Sequence, residues 1–186
     1  ADLEAWFSRF LDWLLESELG IEARAMGGVH GVCYDVQVTA LALFCCREGV
    51  AQEAIERARA RLFTQMDSDG SPLLEVEGAR SLDRCMTHVG ALFDLADLGG
   101  KLGFDLWSGE EGIRIRRAFS WLIDNGFDAE WPWDEGTSTD SLQWISLLLR
   151  AAQRMPDKDL DKRLCLIGKE AVVSHWSFLL YSSADQ

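Results

Sequence analysis

The chain has 186 residues, with 31 acidic and 18 basic side chains and a formal net charge of -13. A surface of that sign argues against nucleic acid and acidic lipid as partners, and it disfavours an acidic polysaccharide unless a local basic cleft overrides the field. The length suits a single domain, residues 1–186, and the five cysteines, with Cys45 and Cys46 adjacent and no CxxC pair, predict reduced buried thiols in a cytoplasmic protein and no metal or cofactor.

Residues 2–17 predict an amphipathic helix with Trp6, Phe10, Trp13, Leu14 and Ser17 along one side, ended by Gly20. A glycine-rich loop then runs to Val32, and His30-Gly31-Val32-Cys33-Tyr34-Asp35-Val36-Gln37 reads as a loop entering a buried helix. His30 and Tyr34 lie four apart, so a helix that begins early projects both from one face. Both side chains pass protons. The other reading is a histidine that caps a turn and a tyrosine that packs with its hydroxyl satisfied.

Residues 33–48 are apolar nearly all round, as a buried inner helix is, and Gly49 marks the stop. Residues 50–67 place Ile55, Ala58, Leu62, Phe63 and Met66 on one face and Glu53, Arg57 and Arg61 on the other, which predicts an outer helix. This alternation is the sequence-level basis for helix pairs. Asp67-Ser68-Asp69-Gly70 has the look of a calcium loop, but the closing position of that motif falls on Gly78, so it reads as a turn.

Pro72 to Arg80 reads as extended. The helix 81–98 packs through Leu82, Cys85, Met86, Val89, Phe93 and Ala96, with Arg84 and His88 four apart on a shared edge. These two are either functional or a surface arginine beside a half-buried histidine. Residues 110–125 form a helix, and the loop from Gly126 to Thr139 carries Trp131-Pro132-Trp133, which stack on a ligand, wall a pocket or cover the core. Asp140 with Gln143 suggests a capping box for the helix 140–154, and Pro156 suits the first turn of a last helix, 157–181, with His175 on its apolar face.

Several of these pieces, in order, resemble the alginate-lyase family of polysaccharide lyases. They are Trp13-Leu14-Leu15-Glu16-Ser17, Leu19-Gly20, His30-Gly31 with Tyr34-Asp35 and Gln37, Asp69-Gly70-Ser71, Glu75, Arg80-Ser81, Leu92 to Ala96, Asp105-Leu106-Trp107 and Trp131-Pro132. The resemblance covers roughly residues 6–155. It implies an all-α fold, an incomplete toroid of antiparallel helix pairs with a cleft in which aromatic loops stack on sugars. It also implies cleavage of acidic polysaccharide by β-elimination. Asparagine and arginine neutralise the substrate carboxylate there, a base takes the C5 proton and an acid protonates the leaving oxygen, with histidine and tyrosine in the last two roles.

This chain departs from the family pattern where that chemistry is carried. Gly28 and Val29 stand where the family has Asn-Asn, Gly78 where it has its arginine, and Arg84 where it has its tyrosine. Arg80 sits two residues from the lost arginine and points elsewhere on a helix or strand. The resemblance also begins midway along a family chain, so either the sequence is part of a longer chain or a second copy or partner completes the ring.

Three function classes follow. The first is a lyase with His30 as base and Tyr34 as acid. The second is a repurposed enzyme that binds a small, largely apolar molecule and promotes cyclisation, including pericyclic closure, or isomerisation. The third is a non-catalytic binding protein. The second ranks first, with His30, Tyr34 and Arg84 as catalytic candidates and Gln37, Arg80, His88, Trp131 and Trp133 as substrate-binding candidates.

Overall fold

A computed structural model describes residues 2–72, 74, 81–133, 141–155 and 158–181, with backbone only at positions 141 and 158. The chain divides into two compact units, Ala1–Asp134 and Glu135–Gln186. The first holds α1 (Asp2–Glu16), α2 (Glu18–Ala25), α3 (Gly28–Phe44), α4 (Glu48–Thr64), α5 (Ser81–Gly100) and α6 (Gly109–Leu122), followed by a π-helical turn at Ile123–Phe127. The second holds α7 (Ser141–Arg154), α8 (Lys158–Ile167), α9 (Lys169–Ser174) and α10 (Trp176–Tyr181). Among the described residues there is no strand, only an isolated bridge between Met66 and Pro72, so the all-α class is observed.

In the first unit α3 is the central helix, packing mainly on α4 and α5 and also on α1 and α2. Val32, Val38 and Ala42 are buried, as an inner helix requires. Val38 and Ala42 join Leu11, Leu14, Ala51 and Ala54 in one contiguous core, with Ile55 and Leu62 also buried on α4. That core removes enough apolar surface from water to hold α1, α3 and α4 together.

Three local expectations are corrected. The segment read as a loop after Gly20 is the helix α2, because Ser17 caps it by accepting the Gly20 N–H at 3.0 Å. Gly20 therefore does not end a helix. A Cβ there would lie 2.0 Å from the Leu14 carbonyl oxygen, so glycine lets α2 approach α1 closely. The next helix starts at Gly28 rather than at residue 33.

On α1 the aromatic side is only half covered. Leu11 and Leu14 are buried, while Trp6, Phe10 and Trp13 form a ladder with ring centroids 5.6 and 5.9 Å apart and both tryptophans partly exposed. On α4, Arg57 and Arg61 do not occupy an outer face. Arg61 is 8% exposed, and both reach inward to Asp35. Of the cysteines, all unpaired by disulfides, Cys85 alone is buried; Cys46 and Cys165 are exposed.

In the second unit, Ile145, Leu149 and Val172 make the core with Leu164, Ile167 and Phe178. The single last helix expected there is three. Gly168 at φ 108° interrupts it, and His175, in extended backbone, interrupts it again. The Nδ1 of His175 accepts the Ser177 N–H at 3.2 Å. The expected capping residue Asp140, Pro156 and most of the 72–80 segment lie outside the described residues.

Candidate functional site

α1, α2 and α3 enclose an open groove of about 350 Å³. Trp13 and Leu14 from α1 and Leu19, Gly20 and Ala23 from α2 line it, while α3 supplies His30, Cys33, Tyr34 and Gln37. Positions 30, 34 and 37 follow the helical repeat, so they share one face once α3 starts early enough to include His30. His30 is exposed at the groove.

Tyr34 is 4% exposed, and its hydroxyl donates to the Leu14 carbonyl at 3.0 Å. Burial pushes its phenol above the ordinary tyrosine value, against the opposing pull of Arg57 and Arg24. The Arg57 guanidinium lies 5.6 Å from its ring centroid. The proton that an acid would donate is thus already held by the backbone of α1. Tyr34 acts first as a pin between α1 and α3.

Behind the groove lies an ion cluster that the sequence reading passed over. Asp35 is fully buried. It accepts from Arg57 Nε at 2.7 Å and from Arg61 Nε at 2.9 Å. Arg61 also donates to the carbonyls of Met26 and Arg24, each at 2.6 Å, and so closes the end of α2. Gly31 makes room for that guanidinium, since a Cβ there would lie 2.4 Å from Nη1 and 2.2 Å from the Met26 oxygen. A carboxylate inside an otherwise apolar helix demands buried partners, and that was the one signal in the sequence.

Of the sequence-predicted residues, the structure brings His30, Tyr34 and Gln37 together. Arg84, half-buried, and His88, 2% exposed, lie on α5 and do not line this groove. Trp131 is buried and donates from Nε1 to Ser81 Oγ at 2.7 Å. Its ring packs edge-on against Trp121 and Trp133, centroids 5.7 and 4.9 Å away, and Trp133 stacks on Trp121 at 5.5 Å. These rings form a separate cluster in which Trp131 acts as core. Arg80, with Glu75 and Gly78, lies outside the described residues. Trp13 and Cys33 are groove residues that were not picked out; Cys33, three residues after His30, carried the periodic signal. Among the described residues no group of three or more His, Cys, Asp or Glu could hold a metal ion.

The all-α fold is that of an alginate lyase of known structure, which sets the chain among the α/α-toroid proteins. The crystal structure of an alginate lyase from Bacteroides ovatus matches 97% of this chain with a TM-score of 0.83 and 26% sequence identity. The chain spans about half of that protein, 49% of its length. The alginate lyase family profile matches residues 1–133, and the chain belongs to the alginate lyase family. No curated protein sequence matches it.

Proposed function

We propose that the chain is a repurposed member of the alginate lyase family that binds a small, weakly charged molecule in the groove beside His30 and promotes its isomerisation or ring closure. The observation that carries this reading is the groove's composition. Trp13, Leu14, Leu19, Ala23 and Cys33 line it, and no lysine or arginine does so among the described residues. β-Elimination from a uronate needs the carboxylate neutralised before the C5 proton becomes acidic, and preorganised charge of that kind is worth orders of magnitude in rate. An apolar groove offers shape and a ring to stack on instead. In it His30 hands a proton to or from the ligand, and Gln37 offers an amide to orient it. Arg84 and His88, outside this groove, take no part in the reading.

The test has two arms. Absorbance of the unsaturated uronate product is followed on mannuronate-rich and guluronate-rich polymers, with no turnover expected. Binding of a neutral naphthylamine dye is followed by fluorescence, with micromolar binding expected and its loss in Trp13→Ala. Efficient cleavage of either polymer, or dye binding that ignores Trp13, overturns the proposal.

A second reading, a polysaccharide lyase acting by β-elimination, is favoured by the family membership and by His30 standing exposed on α3. The polymer assay decides between them. In the lyase reading His30→Ala abolishes product formation.

A further inference from the structure

The joint between α2 and α3 sits two residues ahead of His30, and side chains from α4 hold it from outside. Gln65, the residue that closes α4, accepts the Gly28 N–H through Oε1 at 2.9 Å. The first amides of a helix have no partner within it, and Gly27 offers no side chain to cap α3. Arg61, one turn earlier on α4, takes the Arg24 and Met26 carbonyls at 2.6 Å each and ties them to Asp35 on α3 at 2.9 Å. Gly31 then closes over its guanidinium with no room for a Cβ. The four-residue run from Gly28 to Gly31 is thus fixed at both ends, and His30 lies inside it.

We propose that Arg61 and Gln65 are positioning residues for His30, setting the register at which α3 begins and hence the side of the helix from which the imidazole enters the groove. The proposal rests on the reading of His30 as the working side chain. Its physical content is angular. One residue of slip at the start of a helix turns a side chain by about 100°, which carries His30 off the face it shares with Tyr34 and Gln37. An unbraced first turn frays, since helix ends open at low free-energy cost. Arg61 also serves the fold through Asp35, so Gln65 is the cleaner probe, being partly exposed and making its contact at the joint itself.

The experiment uses the 186-residue chain with Gln65→Leu, Gln65→Glu and Arg61→Lys. Hydrogen exchange is read over residues 28–32, and the ring signals of His30, His88 and His175 are followed by NMR. In Gln65→Leu the exchange at 28–32 rises about fivefold, the population change that one net hydrogen bond of about 1 kcal/mol carries. The His30 signal moves or broadens while those of His88 and His175 stay. Gln65→Glu keeps the acceptor and restores both readouts. Arg61→Lys, which cannot span both carbonyls and Asp35, shifts them the same way; should it fail to fold, the two Gln65 variants carry the test. An unchanged His30 signal and unchanged exchange in folded Gln65→Leu overturn the proposal. A shifted signal with His30→Ala leaving dye binding and polymer cleavage as they were upholds the positioning and overturns the functional reading of His30 instead.

Discussion

Asp35→Asn tests whether the first unit depends on its buried ion cluster. The substitution keeps the shape of the side chain and removes its charge. Asp35 is fully buried, while the side chains of Arg57 and Arg61 are 21% and 9% exposed. Breaking a buried pair by removing one partner costs about 3–5 kcal/mol. Two features set the value here at the low end, about 3 kcal/mol. Burial already pushes the Asp35 carboxyl above its ordinary value despite both guanidiniums, so desolvation offsets part of the attraction. Arg61 also keeps two carbonyl partners when the carboxylate goes. Against a total of about 5–15 kcal/mol this is a large fraction, and it lowers the melting temperature by roughly 6–12 °C for a chain of this size. Urea unfolding followed by far-UV circular dichroism measures it, with the slope against denaturant unchanged. A loss under about 1 kcal/mol would show that the cluster is solvated and refute the assignment.

Tyr34→Phe deletes the bond to the Leu14 carbonyl and should cost about 1 kcal/mol while leaving any activity intact; loss of activity in a folded variant restores the acid role to Tyr34. Glycine-to-alanine changes should differ in sign. Gly31→Ala and Gly20→Ala meet backbone oxygens at 2.2 and 2.0 Å and should destabilise by about 1–3 kcal/mol. Gly49→Ala on α4 meets nothing within 4 Å and should stabilise by about 0.5–1 kcal/mol in the same unfolding assay. The Arg59 hydrogen bonds hold the Glu111 carboxyl below its ordinary value. A lowered value in the fold adds stability above the unfolded glutamate value of about 4.3, and that stability is lost as pH falls through the folded value. The stability difference between the chain and Glu111→Gln should therefore close below about pH 4; a difference that persists at pH 2 counts against the pairing.

The helical periodicity of α3, α4 and α5 was legible because each buries a long apolar stripe, and stripes survive in sequence whatever surrounds them. α2 was not legible. It has eight residues and little amphipathic pattern, and it exists because Ser17 caps it and Arg61, distant in sequence, binds its last carbonyls. The start of α3 was misplaced for the same reason: Gly27 and Gly28 look like a loop, Gly28 stands at φ 62°, and the acceptor that satisfies its N–H comes from Gln65, distant in sequence. Of the site, spacing put His30 and Tyr34 on one face only on condition that α3 began early, and Gln37 joins that face because the helix does start at Gly28. Its far wall could not be read, because Trp13 sits in a stripe that resembles a buried one and only tertiary packing decides which rings stay exposed.

α3 divides its duties by angle, and that division bears on what the groove can do. Gly31 and Asp35, four apart, face the arginines of α4; His30, Tyr34 and Gln37 face the groove. The cations nearest in sequence logic to a carboxylate clamp, Arg57 and Arg61, are thereby paired with Asp35, and neither lines the groove, although Arg57 also lies over the Tyr34 ring. A uronate entering beside His30 would meet tryptophan and leucine in a chain whose net charge of -13 already repels it. For such a substrate to be cleaved there, the neutralising charge has to arrive from residues other than the groove's own lining. A weakly charged ring needs no such help. Under the proposed reading it would stack on Trp13 and exclude water between Leu14 and Leu19, with His30 and Gln37 as the polar side chains beside it.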